Sequence, residues 1–259
     1  MAYLSYRGAR LFFTEFGDGP PVLFLHGNTA SSRLFEPLMP LYAKAFRCIL
    51  PDFLGNGRSD RTAFFSSDLW YEEGLQTAAL AEALDCGPVS LVGTSGGAWA
   101  ALNAALERPE LFRRVVADSF DGRTLNDRFA ERLLAERSQA KRSPQARQFY
   151  AWCQGEDWET VVDQDTQALL RCAREQRPLF RRPLTELQVP VLFLGSLEDE
   201  MCRDNLQQEY EEMAALLPHA AVCMFAHGGH PALLSNAEAA ARRITAFLLA
   251  SGMELAPPL

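Results

Sequence analysis

The sequence predicts a doubly wound α/β protein. Three observations predict it. Short apolar runs of strand length recur along the chain, helical stretches lie between several of them, and a Gly-x-Ser-x-Gly turn joins one run to a helix. Alternating β and α elements favour a mostly parallel sheet with helices on both faces. The chain has 259 residues, 48% of them apolar, which is enough for one large α/β core.

The first segment, residues 3–16, alternates around Arg7-Gly8 and predicts a hairpin at a sheet edge. Residues 17–21, Gly-Asp-Gly-Pro-Pro, form a turn. Continuous apolar runs follow at 22–25, 48–50, 89–92, 115–117, 191–194 and 221–225. Such runs suit strands buried on both faces. Residues 68–84 read as a helix, with Ser66, Ser67 or Asp68 as N-cap and Gly87 as the stop. Residues 237–250 carry apolar residues at helical spacing and end at Ser251-Gly252. Between 121 and 187 the rhythm breaks. This stretch is rich in Arg, Glu and Gln, has helical spacing and holds no strand-like run. It reads as a helical lid inserted in a core of residues 1–120 and 188–259. Insertions in α/β sheets gather at the C-terminal edge of the strands, where ligands bind.

Composition narrows the function. A net charge of −8 argues against nucleic acid or an anionic membrane surface as the main partner. No apolar stretch reaches the length of a membrane span, and the first residues lack the pattern of a secretion signal. Six scattered cysteines without a C-x-x-C pair point to free thiols in a reducing cytoplasm and to no metal. A small-molecule substrate is the expected partner.

The chemistry is carried by Gly93-Thr94-Ser95-Gly96-Gly97. A serine at a sharp strand-to-helix turn has its hydroxyl exposed, and small neighbours permit the turn. The hydroxyl needs a base, and the base needs an orienting carboxylate. The run 190–195 leads into Ser196-Leu197-Glu198-Asp199-Glu200. Asp199 is the preferred acid, with Glu198 one residue away as the alternative. The last run leads into Ala226-His227-Gly228-Gly229-His230. His230 is the preferred base and His227 the alternative, while His219 suits a turn. Donors for an oxyanion are expected from the N–H of Gly96 and from Asn28 in the loop His26-Gly27-Asn28. His26 itself reads as a structural residue that holds this loop.

These pieces together resemble the α/β-hydrolase fold, in the group with a His-Gly oxyanion loop and a helical cap. They are Leu25-His26-Gly27-Asn28, Asp52 to Asp60 with its turn Gly55-Asn56-Gly57, the Gly93 to Gly97 elbow, the Gly195 to Asp199 acid loop and Gly229-His230. The resemblance covers nearly the whole chain, the cap least. It implies an eight-stranded, mostly parallel sheet with antiparallel first strands, and neither metal nor organic cofactor. Two departures stand out. Many relatives carry Met or Gln where this chain has Gly96, so room is expected above the serine. The acid loop is one residue longer than the commonest spacing.

The resulting expectation is a serine hydrolase acting on a small carboxylic ester or related acyl compound through Ser95, Asp199 and His230. Activity should fall below about pH 6, as the imidazole protonates. Trp99, Phe120 and Trp152 are candidate pocket residues. The lid arginines Arg123, Arg128, Arg132 and Arg142 suit solvated faces or an anionic substrate. The same three residues also serve C–C hydrolysis, lactone opening, perhydrolysis and lyase chemistry, or a ligand-sensing receptor. Serine at position 95 excludes mechanisms that need a nucleophilic aspartate, such as haloalkane dehalogenation.

Overall fold

A computed structural model describes residues 2–251. An eight-stranded sheet forms its centre, with strand order β1-β2-β4-β3-β5-β6-β7-β8. β1 (Ala2–Tyr6) and β2 (Ala9–Phe16) make the expected hairpin, and β2 runs antiparallel to β4 (Arg47–Pro51). β3 (Pro21–Leu25), β5 (Val89–Thr94), β6 (Phe112–Asp118), β7 (Val191–Ser196) and β8 (Ala220–Phe225) continue from β4 in parallel. Each apolar run singled out in the sequence is one of these strands.

The runs are continuous because both faces are covered. Leu23, Leu25, Leu91, Val115 and Phe193 pack into one core layer. Their alternates Val22, Phe24, Val92, Val116 and Leu192 pack into the other, following the two-residue period of a strand. The second layer is closed by α1 (Met39–Tyr42), the short α8 (Ala232–Ser235) and α9 (Ala237–Leu249). The first is closed by α2 (Leu69–Leu84), α3 (Gly96–Glu107) and α7 (Leu206–Ala215). α2 ends at Leu84 as expected, and the left-handed residue directly after it is Asp85, with φ 43°, two positions before Gly87. Asp68 stands at its N-cap position without a side-chain capping bond. α9 ends at Leu249, and Gly252 of the expected stop lies outside the described residues.

Between β6 and β7 the chain forms α4 (Phe129–Ala140), α5 (Pro144–Gln154) and α6 (Trp158–Arg174). Ser143 caps α5 by accepting the Ala146 N–H at 3.3 Å, and Pro144 follows at the first helical position. Tyr150, Trp158, Val162 and Ala140 form a small core of their own. None of the described helices is long and apolar enough to cross a membrane.

Candidate active site

The parallel strands deliver their C-terminal ends to one edge, and the functional candidates gather there. Ser95 follows β5 with φ 54° and ψ −123°, a backbone region that side chains rarely enter. Its neighbours make the turn possible. A Cβ on Gly93 would stand 2.1 Å from the Gly97 carbonyl oxygen, and one on Gly97 would stand 2.2 Å from that of Leu25. The Ser95 N–H donates to the Asp118 carbonyl at 2.8 Å. Its hydroxyl makes no hydrogen bond among the described residues and faces the cavity that Gly27, Asn28 and His230 also line.

The two acid–histidine alternatives separate cleanly. His230 Nδ1 lies 3.0 Å from both carboxylate oxygens of Asp199. His227 Nδ1 instead meets Glu198 at 2.9 Å, and both of those side chains are exposed. Asp199 is further held by the N–H groups of Met201 and Cys202. Burial works against charge on the His230 ring. The Asp199 hydrogen bond, with the charges of Asp199, Asp118 and Glu200, outweighs it and raises the imidazole above its usual 6.5. Burial likewise opposes the Asp199 anion, yet the His230 bond and charge hold its carboxyl below the usual range.

The loop before the serine is fixed by His26. Its Nδ1–H donates to the Gly27 carbonyl at 2.8 Å, and its Nε2 accepts the Phe53 N–H at 3.1 Å. Burial lowers its pKa, so the ring is neutral. Asp52 braces the same region, accepting N–H groups from Ser32 and Arg58 at 2.7 Å each. The N–H groups of Asn28 and Gly96, the two expected oxyanion donors, make no hydrogen bond among the described residues.

The space above Gly96 corrects one expectation. It is filled, not open: a Cβ there would stand 2.3 Å from Asn28 Oδ1 and 2.6 Å from Trp70 Nε1. The glycine makes way for a hydrogen-bonded chain. Trp70 Nε1 donates to Asn28 Oδ1 at 3.0 Å, and Asn28 Nδ2 donates to Asp165 of α6 at 2.6 Å. Asp165 in turn pairs with Arg137 of α4 at 3.2 Å, and Arg137 also meets Glu136 at 2.7 Å.

Two cavities are lined in part by Ser95. The outer one, about 440 Å³, is lined by Leu34, Phe149, Tyr150, Glu200 and Leu234, among others. The inner one, about 70 Å³, is walled by Trp70, Trp99, Phe120, Phe129, Leu133 and Leu169. Trp99 and Phe120, two of the candidate pocket residues, line the inner one. Trp152 does not: it is 38% exposed and lines neither cavity. The buried face of α5 runs through Tyr150, Cys153 and Gln154, and position 152 falls on the opposite side. Three of the four arginines singled out between residues 121 and 187 are paired outside both cavities. Arg123 pairs with Glu209 and Glu212, Arg128 with Glu131, and Arg132 with Asp204.

Sequence reasoning missed Arg137 and Asp165, although the signal was present. Arg137 stands between Leu133 and Ala140 on the buried face of α4, and Asp165 between Val161 and Leu169 on that of α6. A charge at an apolar-face position marks a buried pair. It also missed the end of β6. There Asp118 accepts from Thr94 Oγ1 at 2.7 Å, and Ser119 Oγ accepts the Ala232 N–H at 2.8 Å. This strand end therefore braces both the serine turn and the segment after His230. Burial pushes the Asp118 carboxyl up to about 7. Asp199, Cys202 and His230 are the one cluster of possible metal ligands among the described residues. Burial and the carboxylates of Asp199, Asp121 and Asp118 keep the Cys202 thiol protonated, so it is a poor ligand.

The profile of the family described as "Alpha/beta hydrolase family" matches residues 22–243. A 2-(acetamidomethylene)succinate hydrolase of Mesorhizobium japonicum is 41% identical over 108 residues, 41% of this chain and 37% of that protein. The aligned stretch thus spans less than two fifths of that relative. Among solved structures, a meta-cleavage product hydrolase from Pseudomonas fluorescens superposes with a TM-score of 0.75 at 20% identity, covering 95% of this chain and 96% of that one. An esterase from Exiguobacterium antarcticum gives 0.75 at 20% identity, covering 96% and 99%. At such identities these two likenesses speak for the fold.

Proposed function

This chain belongs to the alpha/beta hydrolase family, and from that premise we propose that it is a serine hydrolase that cleaves a small carboxylic ester or related acyl compound. Residues 121–187 act as its cap. The observation that carries this reading is the His230–Asp199 contact at 3.0 Å, opening on the cavity that also holds the Ser95 turn.

Asp199 keeps the proton on His230 Nδ1, which leaves Nε2 as the base. His230 takes the Ser95 proton as Oγ attacks the carbonyl carbon. The N–H groups of Gly96 and Asn28 receive the oxyanion, where each donor is worth roughly 3–4 kcal/mol of barrier. His230 then protonates the leaving group and an acyl-enzyme remains. Water activated by His230 attacks it, the carboxylic acid departs, and the serine is restored.

The test is turnover of p-nitrophenyl esters by the wild type beside Ser95→Ala, with fluorophosphonate labelling of both. The wild type turns over many times and is labelled. Ser95→Ala loses labelling and about 10⁴-fold or more in kcat. Near-normal turnover by the variant overturns the assignment.

A further inference from the structure

The two cavities at Ser95 differ about sixfold in volume, and the difference has a chemical direction. The leaving group must depart after acylation, and water must then reach the acyl carbon from the side it vacated. Both passages need the wider space, the cavity of about 440 Å³. The acyl chain is the part that stays, and the inner cavity of about 70 Å³ is the place for it.

That inner space is small and well walled. It is less than half the size of a cavity of about 150 Å³ that accepts benzene. Trp99 is stacked on Trp70 at 4.2 Å and meets the edge of Phe120 at 5.4 Å. Trp99 Nε1 is also tied to the Gly122 carbonyl at 2.9 Å. The volume that Gly96 would otherwise leave is occupied by Asn28 and Trp70. The charges on the wall already have counter-charges, and only the Nε–H of Arg137 among them is left without a hydrogen bond among the described residues. Arg137, 8% exposed, is held by Asp165, Glu136 and the Tyr150 hydroxyl. Asp121 accepts from Asn126 Nδ2 at 2.6 Å and from the Arg203 N–H at 2.7 Å. A carboxylate on the acyl chain would meet Asp121 and find Arg137 already paired.

Resting on the serine-hydrolase reading above, we infer that this enzyme acts on esters of short, uncharged acids of about two to four carbons, and that the alcohol part takes the larger cavity.

The experiment compares kcat/KM of the full chain for p-nitrophenyl acetate, butyrate, hexanoate and octanoate, and for the hemisuccinate. The expected result is a maximum at acetate or butyrate, a fall of at least a hundredfold by octanoate, and hemisuccinate at least tenfold below butyrate. Leu169→Ala and Leu133→Ala, which lengthen the inner cavity, raise the hexanoate-to-acetate ratio at least tenfold. A profile flat or rising to octanoate, or hemisuccinate equal to butyrate, overturns the inference while the serine-hydrolase reading stands. Absence of turnover on every ester overturns that reading itself. If the leucine variants fail to fold, the wild-type profile alone decides.

Discussion

Replacing Gly96 with alanine adds one methyl group where the structure has no room for it. The new Cβ would lie 2.3 Å from Asn28 Oδ1 and 2.6 Å from Trp70 Nε1, well inside van der Waals contact. Neither neighbour can retreat freely, because Trp70 stacks on Trp99 at 4.2 Å and Asn28 is tied to Asp165 at 2.6 Å. The Trp70–Asn28 hydrogen bond therefore breaks. Overpacking costs about 1–3 kcal/mol and the lost hydrogen bond about 1 kcal/mol more, so unfolding stability should drop by about 2–4 kcal/mol. Alanine keeps its own backbone N–H, which leaves that proposed oxyanion donor in place. Asn28 is the donor displaced, and loss of one such donor lowers kcat by roughly 10²–10³-fold. The assays are chemical denaturation and kcat on p-nitrophenyl acetate. A Gly96→Ala protein with wild-type stability and wild-type turnover would show that the packing argument is wrong.

The remaining expectations concern the acid, the base and the helices between β6 and β7. His230 must be neutral to accept a proton, and its pKa is raised above 6.5. Activity should thus be lost as pH falls through a midpoint above 6.5, not the lower pH that free imidazole suggests; a kcat/KM profile with its acid limb below 6 would contradict this. Asp199→Asn should lower kcat by about 10⁴-fold, whereas Glu198→Gln, whose partner is exposed His227, should stay within about twofold of wild type. Steady-state kinetics on the pair would reverse the acid assignment if the ranking inverted. Asp165→Ala leaves Arg137 buried with less compensating charge and should destabilise the fold by about 3–5 kcal/mol; an unchanged denaturation midpoint would dismiss the pair as structural.

Much of the sheet was legible because burial on both faces removes polar residues from a strand. Residues 22–25 and 191–194 are uninterrupted apolar runs for that reason. The Ser95 turn was legible because tight packing leaves glycine alone at 93 and 97, which writes the geometry into the sequence. Asp199 and Glu198 were harder to separate. They are adjacent on one loop, and the choice depends on which histidine each one meets across the fold. The occupation of the space over Gly96 could not be read at all. It joins Trp70, Asn28 and Asp165, three positions far apart in the chain, and no local pattern ties them. Trp152 misled because aromatic character was weighed without its helical phase. Arg137 and Asp165 escaped notice among many charged residues, although their phase set them apart.

Asn28 takes one hydrogen bond from a helix of the sheet core and gives another to the inserted helices. The insertion is therefore not an interchangeable module. A chimera that grafts foreign helices between β6 and β7 would need an acceptor where Asp165 now stands, and a cation to balance it. Without both, the transplant would alter the chemistry of a loop it never replaced. Diversification of this scaffold has to proceed in matched pairs of changes across that seam.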